Sequence, residues 1–175
     1  MDYSKSKKKY IAETKATLEG KDNRRVLAKI AELKTTGKVS ILPCILDLLR
    51  ADQKEAINSE VLNLVSDLHS QQCVPIVVEY INHLKGSEIL SRLISACWQS
   101  QLDYGEHLET FADCFITGTY QDALESFTVI EEMILRSNNL IIESCRLHLL
   151  SRQSEVNEDK KPLFKELIKI LLDSN

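Results

Sequence analysis

The chain has 175 residues, enough for one domain with a substantial core, and its make-up of 43% hydrophobic and 27% charged residues is that of a globular protein. This excludes a disordered or membrane-embedded chain: no apolar run approaches a membrane span, and residues 1–20 hold no continuous apolar stretch, so no ordinary signal peptide is read and a cytoplasmic protein is expected. The net charge of −4 is unevenly divided: residues 1–38 carry eleven Lys/Arg against five Asp/Glu, residues 39–144 five against sixteen, and residues 145–175 six against five. An acidic body repels phosphate backbones, which makes nucleic acid an unfavoured partner along its length.

Apolar residues recur at helical spacing from end to end, and no segment alternates with period two. The pattern predicts helices over 3–19, 22–36, 40–50, 54–69, 73–85, 87–100, 105–117, 120–136, 138–151 and 161–173. Gly20, Gly37, Gly86, Gly105 and Gly118 fall where the pattern stops or restarts. Pro43, Pro75 and Pro162 sit just inside the start of apolar runs, where a missing N–H costs a helix nothing. Polar residues 151–161 read as the longest loop. The five cysteines lack paired spacing and mostly lie among aliphatic residues, as expected of reduced thiols rather than a disulfide framework.

The chain also repeats itself. Leu-Pro-Cys-Ile-Leu-Asp-Leu-Leu at 42–49 recurs as Val-Pro-Ile-Val-Val-Glu-Tyr-Ile at 74–81, and the register extends to Leu108 and Ile141. In the following helices Leu62, Ile94 and Phe127 correspond, as do Val65, Cys97 and Ile130. A period near 32 residues is that of stacked helical hairpins, none of which can bury its apolar face alone.

With Pro43, Leu46 and Leu49, then Pro75, Val78 and Ile81, each followed by a short turn and an amphipathic helix, the chain resembles the HEAT-repeat family, including its short bacterial form. Asp52 stands in the turn where that family often has aspartate, whereas the third and fourth units lack the proline and the usual Val-Arg pair is missing. A tetratricopeptide array rivals it by period, but its Trp/Gly/Tyr/Pro signature is not in register. The resemblance implies an all-α fold, a right-handed α-α superhelix (solenoid) of about five HEAT-like hairpins, in one domain spanning 1–175. Its clearest repeats cover 22–150, 161–173 is a C-terminal capping helix, and the basic helix within 1–20 is a cap or an arm.

The register also proposes a surface. Glu60, Asn63 and Asp67 share a face, matched by Arg92, Ser95 and Gln99, then by Glu125, Thr128 and Glu132, so stacked second helices would present a polar, mostly acidic strip. In HEAT-like arrays second helices line the concave side, the usual groove for a partner; the bland alternative is a solvated face. Trp98, the sole tryptophan, corresponds to Ser66 and Glu131 and so falls on the polar side. It is either an interface anchor or a ring folded over the next repeat, onto Tyr104 or the 101–105 turn.

Chemistry is less evident. His69/Cys73, Glu79/His83 and Cys145/His148 are the nearest approaches to metal spacing, and none gathers a third and fourth ligand. No nucleophile elbow, phosphate loop or dinucleotide fingerprint is present, so neither a catalytic residue nor a cofactor or metal site is assigned. The reading is a non-catalytic scaffold that binds another protein, one with a basic segment. The resemblance admits two alternatives: nucleic-acid work of the DNA alkyl-base glycosylase type, and a maturation factor for another enzyme. The basic start, Lys5 to Lys9 with Arg24, Arg25 and Lys29, is read as a solvated cap, a contact for nucleic acid or an anionic membrane surface, or a means of self-association.

Overall fold

Proline, short polar caps and tight turns set where the helices of this chain begin. In the computed structural model, which describes residues 3–36 and 38–174, the order is α1 (Tyr3–Leu18), α2 (Asn23–Thr36), α3 (Leu42–Leu46), α4 (Glu55–Ser66), α5 (Val74–His83), α6 (Leu90–Gln99), α7 (Leu108–Thr117), α8 (Tyr120–Ile134), α9 (Asn139–Ser151) and α10 (Lys161–Asp173). Gly37, read above as a helix stop, lies outside the described residues, as do the side chains of Lys5 and Lys7 in the basic start. No strand occurs among the described residues.

The repeat is visible in how the helices start. α3, α5 and α7 are each entered through a single 3-10 turn, Val39–Ile41, Gln71–Cys73 and Gly105–His107. Pro43 and Pro75 follow in the first helical turn, where no intrahelical partner is lost. The Asp22 carboxylate accepts the backbone N–H groups of Arg24 and Arg25 at 3.1 and 3.4 Å and so starts α2. α8 opens with a capping box, in which Thr119 and Asp122 exchange side-chain and backbone bonds.

Helix 40–50 is a correction: α3 spans only Leu42–Leu46. Beyond it Leu48 and Leu49 donate to carbonyls three residues back, and the winding tightens into a turn. The Asn58 amide of α4, 3% exposed, then donates to the Arg50 carbonyl at 2.8 Å and accepts its N–H at 3.4 Å. The turn's backbone is thus satisfied by the next helix instead of by a longer α3.

Helices pack on their near neighbours in two rows. α2, α4, α6, α8 and α10 contact one another in succession; α1 meets α3, α3 meets α5, and α7 meets α9. α1–α2, α5–α6, α7–α8 and α9–α10 join the rows. One buried apolar cluster runs through the molecule from Leu18 to Leu171. It is densest around α6–α8, where Leu93, Ile94, Tyr104, Phe111, Phe115, Val129 and Ile130 are wholly inaccessible and Tyr104 meets Phe111 edge-on at 5.7 Å.

The 151–161 stretch is no open loop. It holds two 3-10 turns and buries Val156 and Lys160. The Lys160 ammonium, 1% exposed, donates to the carbonyls of Phe115, Ile116 and Gly118 at 2.9, 2.7 and 2.8 Å. A helix C-terminus leaves carbonyls without partners and carries partial negative charge, and an ammonium has three donors to offer. Gly118 permits this crowding, since a Cβ there would lie 2.6 Å from both the Asp122 Cβ and the Cys114 carbonyl oxygen.

Candidate functional site

α4, α6 and α8 carry nine of the ten residues singled out by the repeat register, Asp67 follows α4 directly, and none of the ten is buried. Asn63, Asp67, Gln99 and Glu132 are exposed, while Glu60, Arg92, Ser95, Glu125 and Thr128 are half-buried. Trp98 is 38% exposed.

Bonds between successive helices order this face. At the α2–α4 junction the Lys34 ammonium meets the Asp67 carboxylate at 2.5 Å, and this hydrogen bond raises the lysine pKa above its ordinary value. At the α4–α6 junction the Arg92 guanidinium grips Glu55 through two bonds of 2.9 and 2.7 Å. Arg92, helped by Ser59, holds the Glu55 carboxyl below the usual carboxylate range. Exposed pairs of this kind fix geometry more than they stabilise.

The α6–α8 junction is made differently. The Trp98 indole Nε1–H donates to Glu125 Oε2 at 2.8 Å, and the Gln121 amide donates to Glu125 Oε1 at 2.7 Å. Both donors are neutral, so each carboxylate oxygen is partnered while the charge is not balanced. Among the described residues no lysine, arginine or histidine forms an ion pair with Glu125. Tyr104, a suggested resting place for the indole, lies fully buried, and its hydroxyl faces Cys97 and Ser100.

The other row is bonded through a hub absent from the sequence reading. Asp113 of α7 accepts Lys85 at 3.3 Å, His148 Nε2 at 2.7 Å and Arg152 at 2.5 Å, joining the segment after α5 to α7 and α9. Burial works to raise its pKa, but the His148 bond and Lys85 prevail and hold it below the ordinary value. Ser144 adds a bond to Glu109 at 2.6 Å, and the Tyr80 hydroxyl donates to the Pro43 carbonyl at 2.9 Å and bonds Asp47. The i, i+4 spacing of His148 and Arg152 was the available signal; its meaning depends on an aspartate one repeat earlier.

The residues paired by metal spacing gather no further ligands among the described residues. His69 is exposed and Cys73 buried, His83 packs edge-on against Tyr80, and His148 belongs to Asp113 while Cys145 is buried. Burial pushes the thiols of Cys97, Cys114 and Cys145 up to about 12, far from nucleophilic. A cleft of about 230 Å³ between α2 and α4 is lined mainly by Leu33, Leu42, Ile45 and Leu64, with Lys34, Lys38 and Asp67, and shares only Asp67 with the ten residues. No helix among the described residues is long and apolar enough to cross a membrane. No family model matches this chain, and no curated protein does.

Proposed function

We propose that this chain is a HEAT-like α-solenoid, a right-handed superhelix of about five hairpins, that works as a non-catalytic scaffold. It binds a basic segment of another protein along the α4–α6–α8 face. The 32-residue period and the succession of even-numbered helices support the repeat assignment. The observation that carries the binding assignment is Trp98, a large ring left 38% exposed among mainly polar and acidic neighbours in the repeat register. Exposed tryptophans concentrate interface energy when a partner covers them, and acids around such a ring select basic partners.

Photo-crosslinking tests the reading. A benzophenone side chain placed at Asn63, Gln99 or Glu132 should give one discrete adduct in nuclease-treated native lysate. The same probe at Glu79 of α5 or Ser151 of α9 should give none. Adducts confined to the second pair of positions, or lost on nuclease treatment, would overturn it.

A further inference from the structure

Of the α2–α4, α4–α6 and α6–α8 junctions, two close a cation onto a carboxylate: Lys34 on Asp67, and Arg92 on Glu55. The third puts an indole where the others put a cation. Trp98 supplies the hydrogen bond and none of the charge, and Gln121 does the same at the other oxygen. Glu125 is therefore a half-buried carboxylate with two neutral donors, set against an exposed aromatic ring. A carboxylate can accept about four hydrogen bonds, so both oxygens keep accepting capacity.

We propose that Trp98 and Glu125 form a receiving site for an arginine side chain of the bound partner. The assignment rests on the reading of the α4–α6–α8 face as a protein-binding surface. A guanidinium suits the site better than an ammonium. Its plane stacks on an indole, and its forked N–H groups reach two acceptor oxygens at once. The aliphatic stem has company too: Leu124, next to Glu125 in sequence, is 38% exposed. Charge complementarity extends outward, since Glu131 and Glu132 are exposed on the same helix.

Trp98 is the only tryptophan, so its emission reports directly on the site. The probe is an extended twelve-residue Gly-Arg-Ser repeat peptide, compared with versions carrying lysine or citrulline in place of arginine. The arginine peptide should change Trp98 emission saturably, the lysine peptide should bind several-fold more weakly, and the neutral citrulline peptide should have no effect. Glu125→Gln keeps an acceptor for the indole and removes the charge; it should weaken binding about tenfold without moving the thermal midpoint. Glu79→Gln, the same charge change at an exposed position of α5, should alter affinity less than twofold. With fluorescein-labelled peptide, Trp98→Phe should weaken binding about threefold by anisotropy.

Equal affinity for the lysine peptide, equal effects of Glu125→Gln and Glu79→Gln, or no saturable change up to millimolar peptide would overturn the proposal. So would emission that changes with protein concentration alone and is abolished by Glu125→Gln, because the occupant would then be a second copy's basic helix. Crosslinks that persist from Asn63 and Gln99 despite such a failure would leave the face as a binding surface without the arginine site. Crosslinks absent from that face would remove the surface itself.

Discussion

The ammonium of Lys160 lies 2.7 Å from the carbonyl oxygen of Ile116, and forty-odd residues of chain separate the two. With the bonds to Phe115 and Gly118 it closes the end of α7, and burial presses the lysine pKa below its ordinary value against the pull of Asp159 and Asp122. Lys160→Met should keep the aliphatic volume and strand three carbonyls. The expected loss is about 3 kcal/mol, the usual scale for buried polar groups left unpaired. Urea unfolding followed by circular dichroism measures it, and a loss within 0.5 kcal/mol would show those carbonyls to be satisfied by water.

Gly118 and Gly86 differ in what a methyl group would meet. At Gly86 the φ is +82° and no atom lies within 4 Å, so Gly86→Ala costs only left-handed strain, about 1 kcal/mol. At Gly118 the backbone is extended and the obstacle is the Cys114 carbonyl at 2.6 Å. Gly118→Ala should therefore cost more, about 2–3 kcal/mol, because backbone must move. Thermal midpoints of the two variants in one buffer decide the order.

Asp113 predicts an acid limb to stability. Its folded pKa is depressed below 3.8, so the unfolded chain binds the proton more readily. The stability it contributes is complete above pH 3.8 and is lost as pH falls through the lower folded value. Asp113→Asn should lower the midpoint at neutral pH by about 1–2 kcal/mol equivalent and flatten its decline below pH 4. Calorimetry between pH 2 and 7 would show parallel curves if the Lys85–His148–Arg152 cluster carried no linkage.

Trp98 and Phe111 separate surface from core. Phe111 is wholly inaccessible, and Phe111→Ala should cost about 3–5 kcal/mol. Trp98→Ala removes a partly exposed ring and one hydrogen bond, with an expected cost of about 1 kcal/mol and a marked loss of partner binding. Equal destabilisation by the two substitutions would make Trp98 a core residue and end its case as an anchor.

Much of this architecture was legible because it is local. Ten helices follow from 3.6-residue periodicity with proline and glycine at the breaks, and their observed bounds mostly lie within three residues of the expected ones. The surface position of the ten residues was legible for the same reason: repeat register assigns a face to each. What periodicity cannot carry is the identity of a partner on another helix. The short α3 depends on Asn58, the order of residues 151–161 on carbonyls of α7, and the Asp113 hub on groups from two other segments. Lysine at 160 reads as solvent-facing in any local window, and only the unsatisfied end of a distant helix draws it inside.

The cysteines have a use that follows from their placement. Four of the five are buried, one each at the α4–α5 turn, in α6, in α7 and in α9, and all are free. Their thiols are silent toward alkylating reagents until the chain around them opens. Pulsed alkylation read by mass spectrometry would thus time the opening of each level separately, with half-buried Cys44 as the internal reference. The molecule carries a native set of clocks spaced along its length, and no label need be introduced to read the order in which its layers come apart.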